Sequence, residues 1–319
     1  MAAIAAAAAA DARAAVVAAA AILAAGDSTM DKGTFMTNAW VRARAANAVA
    51  VLALVLATPV AAQSLYPTAQ AAADAFTDAL ATSDPAAMAK VLGPNHKQLV
   101  PGGVPQQDIY RFLAAWSKKH EVIADGGRSW LAVGDSGWTM PVPIVSTGKG
   151  WRFDPVAGKA ELTRRAIGRN ELVAIDTLQQ LQAAQTRYKD GVGQGRYASR
   201  LVSRPGAMDG LYWPEVPGAP PQAFGPDALA MGPEVPEQDA YFGYRYKILP
   251  GEHDSAYRIV AWPARYGQTG IGTFVIGPQG GVLESDLGPA SARRAQALRE
   301  RDISAGAWVD ADAQPVGAK

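Results

Sequence analysis

The chain contains no cysteine among its 319 residues. This excludes disulfide bonds, thiolate nucleophiles and metal sites built on sulfur. Histidine is scarce, and His96, His120 and His253 lack the paired spacing of a histidine metal site or a catalytic triad. The mature chain has no nucleotide-binding glycine loop, zinc-protease motif or nucleophile elbow. The sequence therefore predicts no metal and no cofactor, and it identifies no catalytic residue.

An excess of charge of one sign is also missing. The whole chain has 30 basic and 29 acidic residues. Removing residues 1–62 takes away four basic and three acidic residues and leaves 26 of each. A neutral protein has no general electrostatic attraction to nucleic acid or to an anionic bilayer. We therefore expect neither as a partner.

Residues 36–62 have the pattern of a secretory signal peptide. Arg42 and Arg44 are followed by the apolar run Ala48–Ala57, and then by small residues up to Ala62. This apolar run is too short for a comfortable membrane span. Cleavage after Ala62 would leave Gln63 as the first residue, and the sequence thus predicts a periplasmic or secreted protein without a stable membrane anchor. The alternative is an uncleaved anchor.

Residues 1–35 are rich in alanine, and no signal peptide requires them. They are interpreted as an over-extended translation start or a disordered leader, with a helical leader as the alternative, because alanine favours helix. The mature chain is long enough for two domains of ordinary size. We place an α+β domain at 63–160, a second domain at 161–309 and a disordered tail at 310–319.

The first region reads as three helices followed by an antiparallel meander. Apolar spacing predicts helices at 68–82, 85–92 and 108–120, the second of them capped by Asp84 with Pro85 in its first turn. Glycine-rich turns separate the predicted strands 121–124, 129–133, 138–145 and 151–154. This order is similar to the cone-like fold of nuclear transport factor 2, whose concave sheet forms a pocket in some members.

Arg164–Tyr188 is the clearest helix of the sequence. Its apolar residues, among them Leu172, Leu178 and Leu181, share one face. Glu171, Gln182 and Gln185 lie on that same face, where unpartnered polar groups are costly. They therefore need partners, and the expected donors for Glu171 are Arg164, Arg165 or Arg169, or an arginine of the strands.

The same helix carries the first candidate site, a polar junction. It comprises Arg164, Arg165, Arg169, Asn170 and Glu171. One interpretation is structural, with buried ion pairs that fix packing. The functional alternative is that these residues, near a helix N-terminus, hold an anion or transfer a proton.

After the helix, residues 191–236 form a long loop rich in proline and glycine, a type of segment that is often functional. The second candidate site lies here, where a turn at Asp209 presents Tyr212 and Trp213. They could stack on a sugar or peptide, or they could cover the sheet as buried aromatics. Strands are predicted at 241–249, 256–262, 271–276 and 281–285, followed by a basic helix at 289–301.

Several segments agree in order with a known family. They are Ala71–His120, Trp138–Gly158, Arg164–Leu172, Ser203–Trp213, Ala261–Pro263 with Tyr266–Gly267, and Asp286–Gly288. Together they resemble the bacterial secreted family catalogued as domain of unknown function 2950. The resemblance covers nearly the whole mature chain and implies a secreted or envelope protein without an assigned activity.

A weaker resemblance covers only the latter half. Asn170-Glu171, the helix up to Tyr188, Gly243-Tyr244 and the closing segments around Tyr266 and Gly280 are similar to the soluble part of pseudopilin-like proteins. That resemblance implies a long helix packed on an antiparallel sheet. A pilin helix begins as an apolar span, whereas this one begins at Arg164, and this difference argues against assembly into a pilus.

Three functional hypotheses follow. The first is a non-catalytic binding or assembly module of the cell envelope, with an envelope protein or cell-wall component as its partner. The second is a hydrolase of envelope polymers that uses two carboxylates among Asp154, Glu161, Glu171 and Asp209. The third is a binder of a small molecule in the sheet cavity of the first domain.

Overall fold

We describe the protein from a computed structural model, which covers residues 62–99, 104–215, 217–251, 256–304 and 308–311. The predicted leader, the predicted signal peptide up to residue 61 and the end of the predicted tail lie outside these ranges. The architecture is α+β, and the two larger sheets are antiparallel, as the sequence predicts. The chain divides into two compact units between Glu161 and Leu162.

The first unit begins with three helices. They are α1 (Ala69–Ala81), α2 (Pro85–Leu92) and α3 (Gln106–Lys118). The hydroxyl of Thr68 accepts a hydrogen bond from the amide of Ala71 and so caps α1. Asp84 caps α2 by accepting from the amides of Ala86 and Ala87, as its sequence predicts. Short polar side chains thus determine where two of these helices start.

A four-stranded meander follows the helices. Its strands β1 (His120–Asp125), β2 (Arg128–Val133), β3 (Ile144–Ser146) and β4 (Trp151–Phe153) are antiparallel neighbours in chain order. The prediction of a strand at 138–145 is wrong in extent, because only residues 144 and 145 of this segment belong to β3. Pro141 and Pro143 have no amide hydrogen to donate to a ladder. In the earlier part of this segment, Thr139 forms an isolated antiparallel β-bridge with Ala132.

Helix α1 packs on this first sheet. The ring of Phe76 lies 5.7 Å from that of Phe153 and 5.8 Å from that of Phe112. Leu131, Ile144 and Phe153 have no solvent exposure. Side chains of α1 and of the sheet therefore form a packed core on this face, which counts against the small-molecule hypothesis.

Helix α4 runs from Pro155 to Asp190 and is longer than the predicted Arg164–Tyr188. Asp154 accepts hydrogen bonds from the amides of Val156 and Ala157, and Pro155 occupies the first turn. Gly158 weakens the helical pattern there, but it packs so tightly that an added Cβ would lie 2.8 Å from a side-chain methyl of Val142. The early start is thus set by a cap and a close contact.

The second unit contains a five-stranded sheet and a small parallel pair. The pair is formed by β5 (Arg200–Val202) and β6 (Gly210–Tyr212). The large sheet has the order β11-β10-β9-β8-β7, with β7 (Tyr244–Pro250), β8 (Tyr257–Pro263), β9 (Thr273–Ile276), β10 (Val282–Ser285) and β11 (Val309–Asp310). Four of its strands lie where the sequence predicts them, and β11 includes Asp310, which was assigned to the tail.

Both faces of this large sheet are covered. On one face, Ala174, Leu178 and Leu181 of α4 pack with Tyr246, Ile259 and Phe274. On the other face, Val260, Trp262 and Val275 pack with Ala295 and Ile303 of two short helices, α5 (Ser291–Ala297) and α6 (Glu300–Ser304). The expected single helix at 289–301 is thus broken. Leu172 was expected in the core, but its side chain is 56% exposed.

Candidate functional site

The amide side chains on the buried side of α4 bind backbone groups. Gln185 donates to the carbonyl of Ala198 (2.9 Å) and accepts from the amide of the same residue (2.8 Å), and it is fully buried. Gln182 donates to the carbonyl of Pro278 at 3.2 Å. The prediction that these residues need partners is confirmed.

Asn170 and Glu171 bind one loop, residues 264–272, which we call the β8–β9 loop. The Asn170 side chain donates to the carbonyl of Thr269 at 2.9 Å. The Oε1 atom of Glu171 accepts from the amides of Ile271 (2.8 Å) and Gly272 (3.0 Å). Two adjacent side chains of α4 therefore hold the backbone of this loop.

The β8–β9 loop also has its own hydrogen bonds. The amide of Thr269 donates to the carbonyl of Arg265 (2.9 Å), and the amide of Gly267 donates to the carbonyl of Gly270 (2.8 Å). The buried hydroxyl of Tyr244 donates to the carbonyl of Gly272 at 3.0 Å. A Cβ at Gly270 would lie 2.1 Å from that same hydroxyl, so only glycine fits there. The loop is thus fixed from α4, from within and from β7.

The sequence interpretation of this junction is corrected in two respects. The hydrogen-bond donors that the structure gives Glu171 are backbone amides, where arginines were expected. The junction also lies far from the helix N-terminus, because α4 begins at Pro155. Helix-dipole effects are confined to the first turn, so the dipole gives these residues no affinity for an anion.

The three arginines of the junction differ in exposure. Arg164 is exposed, whereas Arg165 and Arg169 are partly buried. Burial lowers the pKa of Arg169 below its ordinary value. All three arginines precede Asn170 in α4. The hydrogen bonds from α4 to the β8–β9 loop described above are made by Asn170 and Glu171.

A second carboxylate, Glu284 on β10, approaches the same loop. A Cβ added to Gly272 would lie 3.0 Å from Oε1 of Glu284, and the amide of Gly272 already binds Glu171. Burial, followed by the charges of Glu171 and Asp286, raises the pKa of Glu284. Asp286 accepts a hydrogen bond from the hydroxyl of Tyr266 at 3.1 Å.

The most exposed aromatic of this region is Phe242, which precedes β7. Its side chain is 52% exposed, and its backbone adopts the left-handed conformation with φ 46° and ψ 40°. The next residue, Gly243, lies against the junction, because an added Cβ would be 2.8 Å from Thr269 and 2.9 Å from the Asn170 side chain. Phe242 thus stands beside the held loop.

Two further apolar side chains are exposed at residues that flank the hydrogen bond between Glu171 and Ile271. Leu172, which follows Glu171, is 56% exposed, and Ile271, whose amide binds Glu171, is 42% exposed. We call the set Phe242, Leu172 and Ile271 the exposed corner. The sequence analysis did not find it, since neither a left-handed phenylalanine nor the register of α4 against the loop has a sequence signature.

The second predicted site comprises Asp209, Tyr212 and Trp213, and its residues have structural contacts of their own. Trp213 is 3% exposed and donates to the carbonyl of Pro220 at 3.3 Å, so it belongs to the core. Tyr212 lies on β6 and is partly exposed. The carboxylate of Asp209 binds the amide (3.0 Å) and guanidinium (2.8 Å) of Arg204 and lies 3.4 Å from Arg200. Trp213 therefore covers the sheet and is not available for stacking on a ligand.

The electrostatics of Asp209 agree with a structural role. Burial acts to raise its pKa, but the hydrogen bonds and charge of Arg204 outweigh burial and lower the pKa.

Of the other carboxylates considered for catalysis, Asp154 caps α4, and Glu161 is a partly buried residue of α4. Among the residues that the structure covers, no group of three or more histidine and acidic side chains is arranged to hold a metal ion. In the same residues no helix is long and apolar enough to cross a membrane.

Comparison with known proteins identifies the family alone. No curated protein and no solved structure matches the chain. The resemblances to nuclear transport factor 2 and to pseudopilins therefore have no support from solved structures. The family model described as protein of unknown function (DUF2950) matches residues 63–308. The chain belongs to this family.

Proposed function

We propose that this protein is a non-catalytic binding or assembly module of the bacterial envelope, and that the exposed corner is its contact surface. The observation that carries the proposal is Phe242, a half-exposed aromatic residue with a left-handed backbone. Such a conformation costs a residue other than glycine about 1–3 kcal/mol. The half of the ring that is buried, which packs against Tyr241, recovers only part of this cost.

The surroundings of Phe242 support the same interpretation. Binding loops work best when a rigid scaffold positions them. Here Asn170 and Glu171 hold the backbone of the β8–β9 loop, and Gly243 contacts both Asn170 and Thr269. Leu172 and Ile271 add exposed apolar side chains to this scaffold, on which a partner could dock. The partner class remains that of the sequence analysis, an envelope protein or a cell-wall component.

The chemistry of the junction favours binding over catalysis. The acceptor oxygen of Glu171 already receives two backbone hydrogen bonds, and Asp209 is bound to Arg204. The carboxylate oxygens that accept these hydrogen bonds are not free to take a proton from a substrate. These two carboxylates therefore serve as supports for loops.

The proposal includes the location predicted by residues 36–62. A signal peptide cleaved after Ala62 would deliver the protein to the periplasm or outside the cell. Fractionation of cells that make the full chain, followed by sequencing of the amino terminus, tests this part. Recovery of the chain in the cytoplasm with residues 36–62 intact would overturn it.

Site-specific crosslinking in the native cells tests the contact surface. A photoreactive phenylalanine analogue is placed at Phe242 in one strain and at Tyr110 in another. Tyr110 is the matched control because its ring is 63% exposed but lies in the first unit. We expect a recurrent crosslinked partner from position 242 and not from position 110. Equal products from both positions, or none from either, would contradict the proposed surface.

A hydrolase is the second candidate, and one observation favours it. Burial and the nearby charge of Glu171 raise the pKa of Glu284, and a pair of carboxylates is the pattern of glycoside hydrolysis. Purified protein would then release fragments from isolated cell wall, and Glu284→Gln would abolish the release while the fold is retained. Release that survives this substitution would rule out Glu284 as the acid.

A further inference from the structure

The first residues after the predicted cleavage point are tied into the first unit. The amide of Ser64 donates to the carbonyl of Lys90 at 2.7 Å. Tyr66 and Trp151 exchange two backbone hydrogen bonds of 2.8 and 2.7 Å, which place Tyr66 beside β4. The segment Gln63–Tyr66 therefore bridges the end of α2 and the strand β4.

The side chain of Gln63 joins these two elements. Its Nε2 atom donates to the carbonyl of Val91 in α2 (3.0 Å) and to that of Phe153 at the end of β4 (2.8 Å). Its Oε1 atom accepts from the guanidinium of Arg152 at 3.2 Å. Both hydrogens of the amide nitrogen and one acceptor position of the oxygen are thus used, and the carbonyl of Val91 is one that the helix end leaves without an internal partner.

These hydrogen bonds affect a reaction of an amino-terminal glutamine, its cyclisation to pyroglutamate. The free α-amine can attack Cδ of its own side chain, forming a new N–C bond. The bond from Cδ to Nε2 breaks, and Nε2 leaves as ammonia with the proton that the amine gives up, so that a neutral cyclic amide remains. No oxidant or reductant takes part. The leaving atom is the same nitrogen that binds Val91 and Phe153.

We propose that Gln63 is the amino-terminal anchor of the processed protein, and that the fold protects its side chain from cyclisation to pyroglutamate. The inference rests on the proposed cleavage after Ala62. Cyclisation would remove the donor of two partly buried carbonyls, and the side chain would have to leave its site before the amine could reach Cδ. With net hydrogen-bond energies of ordinary size, we expect cyclisation in the folded protein to be on the order of tenfold slower than in the unfolded chain.

Intact mass measurement on the secreted protein tests the proposal. The full chain is expressed in a bacterial host, and the product is incubated folded and in urea at one pH and temperature. We expect a chain that starts at Gln63, with the mass of one ammonia lost slowly from the folded sample and faster from the unfolded one. Equal rates, or complete cyclisation of the folded protein on isolation, would overturn the protective role.

The same spectra separate this inference from its premise. An amino terminus other than Gln63 would show that the proposed cleavage is wrong, whatever the rates. Substitution provides an independent measure of the anchor: Gln63→Met removes the amide at similar volume, and Gln70→Met does so for an exposed glutamine of α1 whose partner is Asp74. We expect a lower midpoint of urea unfolding for Gln63→Met only. Equal midpoints for the two variants would refute the anchor.

Discussion

Glu171 Oε1 lies 2.8 Å from the amide nitrogen of Ile271, a residue 100 positions later in the chain. The carboxylate accepts a second hydrogen bond from Gly272, and its neighbour Asn170 binds the carbonyl of Thr269. One turn of α4 thus fixes a loop between two strands of the large sheet. Of the two interpretations of this polar junction, these contacts favour the structural one, in which its side chains fix the packing of the chain.

Removing the carboxylate should loosen the loop. Glu171→Ala leaves the partly buried amide of Gly272 without its acceptor, whereas water can serve the more exposed amide of Ile271. We expect a loss of about 1–2 kcal/mol in the free energy of unfolding, measured by urea denaturation. Asp176→Ala is the control, since Asp176 is an exposed residue of the same helix, and it should change stability by no more than about 0.5 kcal/mol. Equal effects of the two substitutions would contradict the support role.

The backbone of Phe242 gives a second prediction. Phe242→Gly removes the ring and relieves the left-handed conformation, whereas Phe242→Ala removes the ring alone. The glycine variant should therefore be more stable than the alanine variant by at least about 1 kcal/mol, measured by thermal unfolding. Both should lose partner binding to a similar extent. A glycine variant less stable than the alanine variant would show that Phe242 is not strained.

Gln185 should be far more important for stability than an exposed glutamine of the same helix. Gln185→Leu retains volume but leaves the amide and the carbonyl of Ala198 without partners in the core. We expect a loss of about 2–4 kcal/mol in the free energy of unfolding. Gln180→Leu is the matched control, because Gln180 is exposed and binds Asp176. Similar losses in both variants would indicate a general intolerance of leucine in α4.

The raised pKa of Glu284 predicts a pH dependence. The folded protein binds the proton of this carboxyl more tightly than the unfolded chain does. Its contribution to stability is therefore fully present below the ordinary pKa of glutamate and is lost as the pH rises through the raised pKa of the folded state. Glu284→Gln, which does not titrate, should gain stability relative to the wild type over that interval. Denaturation curves at several pH values, with the exposed Glu215→Gln as control, check this; a constant difference between wild type and Glu284→Gln would contradict it.

The periodic parts of the fold could be predicted from the sequence. Apolar spacing located the helices and four strands of the large sheet, and Asp84 with Pro85 marked the start of α2. The sequence prediction failed at the start of α4 and at residues 138–145. Gly158 continues α4 because it fits against Val142, and proline keeps most of 138–145 out of the first sheet.

The candidate site was predicted only in part. The need of Glu171, Gln182 and Gln185 for partners followed from their position on an apolar face, but the identity of those partners did not. A carboxylate can accept hydrogen bonds from backbone amides as readily as from an arginine side chain. Which donor it binds depends on the loop that the fold places next to it. Glu284 and Phe242 were missed because their significance comes from register and backbone conformation, which no local pattern encodes.

Hydrogen exchange of single amides, followed by NMR, tests the central claim most directly. If Glu171 holds the β8–β9 loop, the amides of Ile271 and Gly272 should exchange slowly in the wild type. In Glu171→Ala these two amides should exchange faster, while the amide of Ala198, which binds Gln185, keeps its protection. Unchanged exchange at Ile271 and Gly272 would show that the carboxylate does not support the loop, and the proposed basis of the exposed corner would fall with it.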